Sequence, residues 1–477
     1  DERLKRLETE LTPSSLQALE EEERQLVEAQ MAPDSPEALS KLPKLAVCDL
    51  AEAPEEPPFG LEHWGKLPLL RHGVETHGIA YFTRYYDLDC VSFEELPYVA
   101  VLAMVLGRMD TDAHTAAQLD TLAQGRLGNL TFAADVYKSD DDDRARALFL
   151  ASASALPENA GFAGTLTDEV LARTKFADTA RIYDMLVQRK VALEQSFAMS
   201  GHSTAANRAL SYVTHTAKAK EQIAGIDSYL FLRELIDDFD LRCQDLVSKL
   251  EELAHRIFTD DNCTLSFAGS QEDLDAYMAA GCRLGFRAER PERRLHVPDP
   301  EDLHEAFGVS TDITFTALVA DRHCAGAPFS GEWLLASKMI TLSYLWNEVR
   351  VVGGAYGVGF ASRRGGNTLF HSYRDPRIDP TLEAFLGAPD WLRTSDMSQD
   401  EFEGYVVSTV ASLDAPLKPR NLVRRQDIMH FTGCTDSDLR KTREEVLSAT
   451  LASVRQLADP LQVLAEGRHI CSVGNAD

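Results

Sequence analysis

The sequence has few basic residues for its length, and it lacks long apolar runs. Its 477 residues include 48 Lys and Arg against 76 Asp and Glu, which gives a formal net charge of −28. Such an acidic chain repels phosphate backbones and anionic lipid, so neither a nucleic-acid partner nor a membrane partner is expected. The longest apolar runs, such as residues 99–106, fall far short of the roughly 20 residues that a membrane-spanning helix needs. Hydrophobic residues at 44% and charged residues at 26% predict a soluble globular chain with more than one domain.

The cysteines show no pairing pattern. Eight cysteines are scattered along the chain without a CxxC motif. This usage is typical of reduced, mostly buried thiols in a cytosol-like compartment, and it argues against a disulfide framework. The expected location is therefore the bacterial cytoplasm, with an organelle matrix as the alternative.

The zinc motifs HExxH and HxxEH are absent, although the sequence contains 13 histidines. Both motifs place two histidines one helical turn apart on the same face. The nearest approach, from His72 through Glu75 to His77, is one residue too long and runs into the β-forming residues 79–82. We interpret it as a loop that enters a strand. The chain is therefore predicted to bind no catalytic metal.

The first 45 residues are predicted to form a helical hairpin followed by a linker. Thr12 is placed to cap the second helix, with Pro13 at its first position. The acidic run at residues 20–23 is typical of a solvated helix face. Because the chain starts inside a helical pattern and without an initiator Met, we expect it to be a piece of a longer protein.

The remainder contains an internal repeat in the order of its predicted elements. Each copy of the repeat contains a strand, an apolar helix, two strands joined by a turn, and then a series of helices. Hairpin strands followed by segregated helices predict an α+β fold, with two similar domains of mainly antiparallel sheet covered by helices. The predicted domains are residues 46–258 and 259–477, and a short strand at residues 263–268 is predicted to open the second one.

Three motifs suggest chemistry that their context argues against. The segment at residues 200–203 (SGHS) pairs a serine with a histidine, but it lacks the G-x-S-x-G frame and is predicted to be a turn and helix cap. The aspartates at residues 140–143 lack the ligand spacing of a calcium loop and are predicted to form a hairpin turn. The glycine-rich residues 352–357 lead from a helix to a strand, the reverse of a nucleotide-binding loop.

The same glycine-rich turn carries the most informative pair of residues. Arg350 ends the apolar helix predicted at residues 331–350, and Tyr356 begins the next strand. Gly353 and Gly354 permit a tight turn that could bring both side chains to one concave face. An Arg and a Tyr hydroxyl are suitable donors for an oxyanion or a substrate carbonyl. From the residues alone, a cation that caps a helix and a half-buried strand tyrosine remain the commoner explanation.

Several stretches in the same order resemble one enzyme family over nearly the whole chain. Residues 345–357 (LWNEVRVVGGAYG) are similar to the signature of the C-terminal half of presequence proteases, the falcilysin-like branch of the pitrilysin/insulinase metallopeptidases. The similarity continues through residues 372–376 (SYRDP), 381–389, 76–81 (THGIAY, where relatives commonly have Thr-Asn-Gly) and 200–203, and through the opening hairpin.

The resemblance implies a clamshell of four similar α+β domains, two in each half, joined by a helical hairpin. In that family the catalytic half binds zinc through HxxEH and a downstream Glu. The other half supplies an Arg and a Tyr to the scissile carbonyl. By motif position these are Arg350 and Tyr356 here, with Gly353, Gly354 and Ala355 as the substrate-binding turn.

The missing HxxEH implies that this chain is the second half only. Zinc is expected in the N-terminal catalytic half, which is the expected partner, and the chain alone is expected to hydrolyse nothing. The expected substrates of the assembled enzyme are unfolded peptides that enter a closed chamber. The alternatives are a non-catalytic structural or peptide-binding subunit of the same fold, and an adaptor whose hairpin recruits a partner.

Overall fold

The computed structural model describes residues 12–32, 35–42, 44–139, 144–280 and 292–475. It has two compact units, Asp1–Leu50 and Ala51–Asp477. Three predictions lie outside the described residues: the first helix of the hairpin, the turn at residues 140–143, and the state of Cys282.

The first unit contains the predicted capped helix. Helix α1 spans Pro13–Met31, and the Thr12 hydroxyl accepts a hydrogen bond from the Ser15 amide at 3.3 Å, with proline at the first helical position. Residues 20–23 are exposed, as the acidic run predicts. A short helix α2 at Pro36–Leu39 and a 3-10 turn at Val47–Asp49 follow.

Six strands of the described residues form the first sheet of the second unit. Their order across the sheet is β1-β2-β6-β3-β5-β4, and every pairing is antiparallel except that of β2 with β6. The strands are β1 Phe59–Trp64, β2 Leu67–His72, β3 Ala80–Asp87, β4 Leu127–Lys138, β5 Ala145–Ala155 and β6 Cys263–Ala268.

Five strands of the described residues form the second sheet. Their order is β7-β11-β8-β10-β9, and only β7 and β11 pair in parallel. This is the order of β2-β6-β3-β5-β4 in the first sheet, with the parallel pair at the same place, so the predicted repeat and α+β class are confirmed. The strands are β7 Glu305–Gly308, β8 Thr314–Asp321, β9 Gly357–Ser362, β10 Asn367–Tyr373 and β11 His469–Gly474.

The prediction that the strand Cys263–Ala268 opens the second repeat is wrong. This strand, β6, lies inside the first sheet, antiparallel to β3 and parallel to β2. It therefore closes the first repeat, as β11 closes the second. Chain order alone misleads here, because a parallel partner can arrive after a long helical crossover. The domain limits at residues 46–258 and 259–477 stay a prediction. Strands β1, β2 and β7 were not predicted.

Helices cover both sheets, and the long helical region of the first repeat contributes to each. In the first repeat the helices are α3 Leu96–Val105, α4 Ala116–Arg126, α5 Ala160–Arg173, α6 Thr179–Leu210, α7 His215–Ala224, α8 Ile226–Asp237, α9 Phe239–Ile257 and α10 Gln271–Ala279. In the second they are α11 Gly331–Met339, a π-helix Ile340–Val351, α12 Asp379–Thr394, α13 Gln399–Leu413, α14 Pro419–Thr432, α15 Asp436–Ser448, α16 Leu451–Arg455 and α17 Ala458–Glu466.

The two repeats exchange helices across their sheets. The N-terminal part of α6 packs in the large core of the first sheet, whereas Ala205, Ala209 and neighbouring residues near its C-terminus pack against the second sheet. In return, Phe431 of α14 packs in a core cluster with side chains of the first sheet. Because apolar side chains of each repeat are buried on the other, the two sheets form one compact unit.

His72, the first residue of the near-zinc pattern, belongs to this helix exchange. Its ring is buried at the end of β2 and bonds Gln426 Oε1 at 2.7 Å and Asp427 Oδ1 at 3.0 Å, both on α14. The Tyr85 hydroxyl donates to Asp427 Oδ2 at 2.8 Å. Burial and the neighbouring Asp427 carboxylate raise the pKa of Tyr85 well above its ordinary value, so the phenol stays a donor. His77, by contrast, is exposed.

Candidate functional site

The apolar helix that leads to the site ends in a π-helix. Residues Ile340–Val351 have widened turns, and the bond from the Val352 amide to the Asn347 carbonyl at 2.9 Å spans five residues. Runs of π-helix are rare and often mark functional sites. One face of this helix is buried, with Leu345 and Val349 fully covered, while Trp346 is 39% exposed.

The turn that follows depends on two glycines. The Gly354 amide donates to the Arg350 carbonyl at 2.9 Å, and the Ala355 amide donates to the Val349 carbonyl at 3.1 Å. Gly354 has a φ of +84°, a left-handed conformation that favours glycine. A Cβ on Gly353 would lie 2.1 Å from the Val349 carbonyl oxygen. The predicted tight turn is therefore present, and its geometry favours glycine at both positions.

The turn brings Arg350 and Tyr356 to one surface, as the spacing suggests. The Arg350 guanidinium carbon lies 3.9 Å from the centre of the Trp346 ring and 5.8 Å from that of the Tyr356 ring. The Tyr356 side chain is 68% exposed. Among the residues that the structure describes, neither the guanidinium nor the phenol hydroxyl has a hydrogen-bond partner. Both are donors available to a ligand that approaches from solvent.

The backbone of the next strand fixes the start of β9. The Tyr356 amide donates to the carbonyls of Tyr373 at 3.1 Å and Arg374 at 3.2 Å. Arg374 has a φ of +50°, and the next residue, Asp375, is fully buried with its carboxylate bonded to the Thr381 hydroxyl at 2.7 Å. The segment at residues 372–376 therefore fixes the position of the Tyr356 backbone.

Aromatic rings lie beneath Tyr356. The Tyr373 ring meets it edge to face, with the ring centres 5.8 Å apart, and the His202 ring meets Tyr373 in the same manner at 4.9 Å. His371 lies 5.6 Å from His202. Burial lowers the pKa of His202, and burial, with a smaller electrostatic contribution from His202 and Arg363, lowers the pKa of His371 to about 4. Both shifts favour the neutral imidazole.

The segment at residues 200–203 is a kink inside α6, where a turn and helix cap are predicted. Ser200 has non-helical angles (φ −126°, ψ 33°), and a Cβ on Gly201 would lie 2.2 Å from the Phe315 ring. The kink lets the helix approach β8 closely. The sequence alone predicts no role for Trp346, Tyr373 or His202. The only signal for them is that each lies in a stretch that carries the family resemblance.

Other kinds of site receive no support within the described residues. No group of three or more His, Cys, Asp or Glu side chains there could hold a metal ion. The glycine-rich turn leads from a helix to a strand, as predicted, so no helix N-terminus faces it. None of the helices in the described part has the length and apolar character needed to cross a membrane.

A substitution at the turn tests how strictly it is determined. Gly353→Ala should lower the free energy of unfolding by about 1–3 kcal/mol, because the new methyl group collides with the backbone of the preceding helix. The measurement is urea unfolding. The control is Gly125→Ala in α4, where a Cβ meets open space. Equal stability of the two variants would contradict the prediction.

Two family models match the chain. The model for the region associated with subfamily C of the M16 peptidases matches residues 1–235, and the model described as PreP C-terminal domain matches residues 304–473. The second match includes Arg350, Tyr356 and the turn between them.

Curated relatives extend the same similarity. Protein HypA of Clostridium perfringens is 27% identical over 460 residues, which are 95% of this chain and 47% of that protein. Presequence protease 1, chloroplastic/mitochondrial, of Arabidopsis thaliana is 25% identical over 479 residues, which are 99% of this chain and 44% of that protein. The chain thus spans about half the length of the curated relatives it matches.

Solved structures share the fold. A peptidase M16 inactive domain from Pseudomonas fluorescens matches with a TM-score of 0.58 at 14% identity, covering 88% of this chain and 98% of that one. A protease from Helicobacter pylori matches with a TM-score of 0.55 at 13% identity, covering 87% and 99%. The two family-model matches and the curated presequence proteases show that the chain belongs to the presequence-protease-like M16 peptidases, and it corresponds to their C-terminal half.

Proposed function

We propose that this chain forms one half of the chamber of a zinc-dependent peptidase that degrades unfolded peptides. In this proposal Arg350 and Tyr356 contact the scissile carbonyl and the oxyanion that develops from it. The observation that carries the proposal is a pair of donors on one surface, the exposed Tyr356 hydroxyl and the partly buried Arg350 guanidinium, without hydrogen-bond partners among the described residues.

The two donors suit different parts of the reaction. A tyrosine hydroxyl can donate one hydrogen bond to the oxygen on which negative charge accumulates. The guanidinium, stacked on Trp346, presents several N–H groups in a plane and can orient neighbouring peptide carbonyls. Stacking reduces the freedom that Arg350 would lose when a substrate binds.

The turn contributes through its shape. The amides of Gly354 and Ala355 already donate within the turn, and the Ala355 side chain is buried. We propose that these residues and Gly353 keep the surface open beside the two donors, so that an extended peptide can pass close to the backbone. A larger side chain at any of the three would then hinder substrate binding.

Zinc would belong to the N-terminal half. The described residues of this chain offer no group that fits a zinc ion. When bound in the other half, zinc would supply the activated water of a metallopeptidase. This chain would bind, orient and stabilise the carbonyl under attack. Its net charge of −28 would also attract basic peptides over long range.

Reconstitution tests the proposal. The purified chain should not hydrolyse an unfolded peptide, whereas the chain combined with its N-terminal half should do so, and a chelator should abolish that activity. Hydrolysis by the N-terminal half at the same rate without this chain would favour the alternative, a structural or peptide-binding subunit. Zinc-dependent turnover by this chain alone would overturn the proposal.

We propose the bacterial cytoplasm as the location, with an organelle matrix as the alternative. The names of the relatives support both, since they include a protein of Clostridium perfringens and chloroplastic or mitochondrial enzymes. Recovery of the protein in the membrane fraction of its source cells would contradict both locations.

A further inference from the structure

Few contacts fix the side chain of Tyr356, although its proposed role requires its hydroxyl to point in one direction. It is 68% exposed, and the rings and cations of the described residues that contact it are Tyr373 and Arg350. A side chain so exposed can occupy several rotamers. A catalytic hydrogen bond requires one of them, because small displacements of a reacting group reduce rates steeply.

Tyr373 holds Tyr356 in two ways. Its carbonyl accepts the Tyr356 amide at 3.1 Å, which fixes the backbone at the start of β9. Its ring meets the Tyr356 ring at an interplanar angle of 66°, the edge-to-face arrangement that aromatic pairs prefer. Tyr373 is itself the last residue of β10, two residues before the anchored Asp375.

His202 and Phe315 support the Tyr373 ring in turn. The His202 ring lies at 83° to it with centres 4.9 Å apart, and the Phe315 ring lies 5.6 Å away. The kink at Ser200 and the absence of a side chain on Gly201 allow His202 to reach this position. His202 Nδ1 is buried and has no hydrogen-bond partner in the described part of the chain, so ring contacts hold the imidazole at that edge.

We propose that Tyr373 and His202 are positioning residues, which fix the rotamer of Tyr356 and so direct its hydroxyl toward the substrate carbonyl. The kinked segment at residues 200–203 belongs to the first repeat, and in this proposal it acts on Tyr356, which belongs to the second. This inference rests on the proposed function of Tyr356.

The test uses the assembled enzyme with both halves. Tyr373→Ala should lower kcat about tenfold and leave KM nearly unchanged, because the substrate still binds while the hydroxyl is misplaced. Tyr373→Phe keeps the ring and should restore most of the rate. His202→Ala should also lower kcat. Tyr183→Ala, which removes a half-exposed ring that contacts Phe239, is the control with unchanged kcat.

A double mutant separates positioning from general damage. When Tyr356 is already Phe, the additional Tyr373→Ala change should have little effect on kcat, since no hydroxyl remains to be directed. A further tenfold loss in that background would overturn the inference. If Tyr373→Ala fails to fold, Tyr373→Leu, which fills the space without a ring, is measured by the same comparison.

The two proposals can fail separately. A normal rate in Tyr356→Phe would refute the proposed function of that residue, and the inference with it. A slow Tyr356→Phe enzyme combined with normal kcat values in Tyr373→Ala and His202→Ala would leave the proposed function intact and refute only the positioning role.

Discussion

Tyr356→Phe should lower kcat of the assembled enzyme about 10²-fold, the usual cost of removing one hydrogen-bond donor to an oxyanion. The change deletes a single oxygen atom. The ring contacts with Tyr373 and Arg350 remain possible, and the side chain is exposed, so the fold has no buried partner to lose. The decrease in kcat would therefore measure what the hydroxyl contributes to the reaction.

The kinetic pattern carries as much information as the size of the effect. A donor that acts mainly in the transition state lowers kcat and kcat/KM together, whereas one that only binds the ground state raises KM. We expect the first pattern, measured by steady-state kinetics with an unfolded peptide. Tyr183→Phe, at a half-exposed tyrosine of α6, is the matched control. A Tyr356→Phe rate within about twofold of the unaltered enzyme would remove the basis for the assignment.

The repeat could be predicted from the sequence because the order of elements is a local property. The cap at Thr12 is likewise local, and it is found where the sequence predicts it. Strand pairing is not local. Cys263–Ala268 reads as the start of a new repeat, yet its partners are β2 and β3. The exchange of α6 and α14 between the sheets is hidden for the same reason, since an apolar helix face does not specify which sheet it covers.

The site could be predicted only in part. The glycines between Arg350 and Tyr356 indicate a tight turn, and the structure contains one. The supporting rings could not be predicted, because His202 and Tyr373 are far apart in sequence and meet only through the helix exchange. The stacking of Arg350 on Trp346 also depends on the π-helix, whose widened turns have no simple sequence pattern.

A buried ion pair between the two sheets gives the largest expected effect on stability. The Lys138 ammonium at the end of β4 lies 2.7 Å from the Asp321 carboxylate at the end of β8, and each side chain is only 7% exposed. Asp321 also accepts from the His323 amide at 3.1 Å. Lys138→Met should lower the free energy of unfolding by about 3–5 kcal/mol, because it leaves a buried carboxylate without its cation.

The pH dependence of unfolding should identify the pair as the cause. Burial raises the pKa of Asp321, but the hydrogen bond and charge of Lys138, together with the amide and charge of His323, leave the pKa below its ordinary value of 3.8. The stabilisation is therefore present above pH 3.8 and is lost as the pH falls through the lower pKa of the folded state. In Lys138→Met only His323 still opposes the effect of burial, so the pKa of Asp321 should rise and the difference in stability between the two proteins should shrink toward acid pH. Urea unfolding between about pH 3 and pH 7 measures this difference.

Lys175→Met, which breaks an exposed pair with Asp112, should change stability by less than about 1 kcal/mol at any pH. If Lys138→Met behaved like Lys175→Met, the pair would contribute nothing to holding the two sheets together, and apolar packing across the exchanged helices would have to account for the stability of the unit alone.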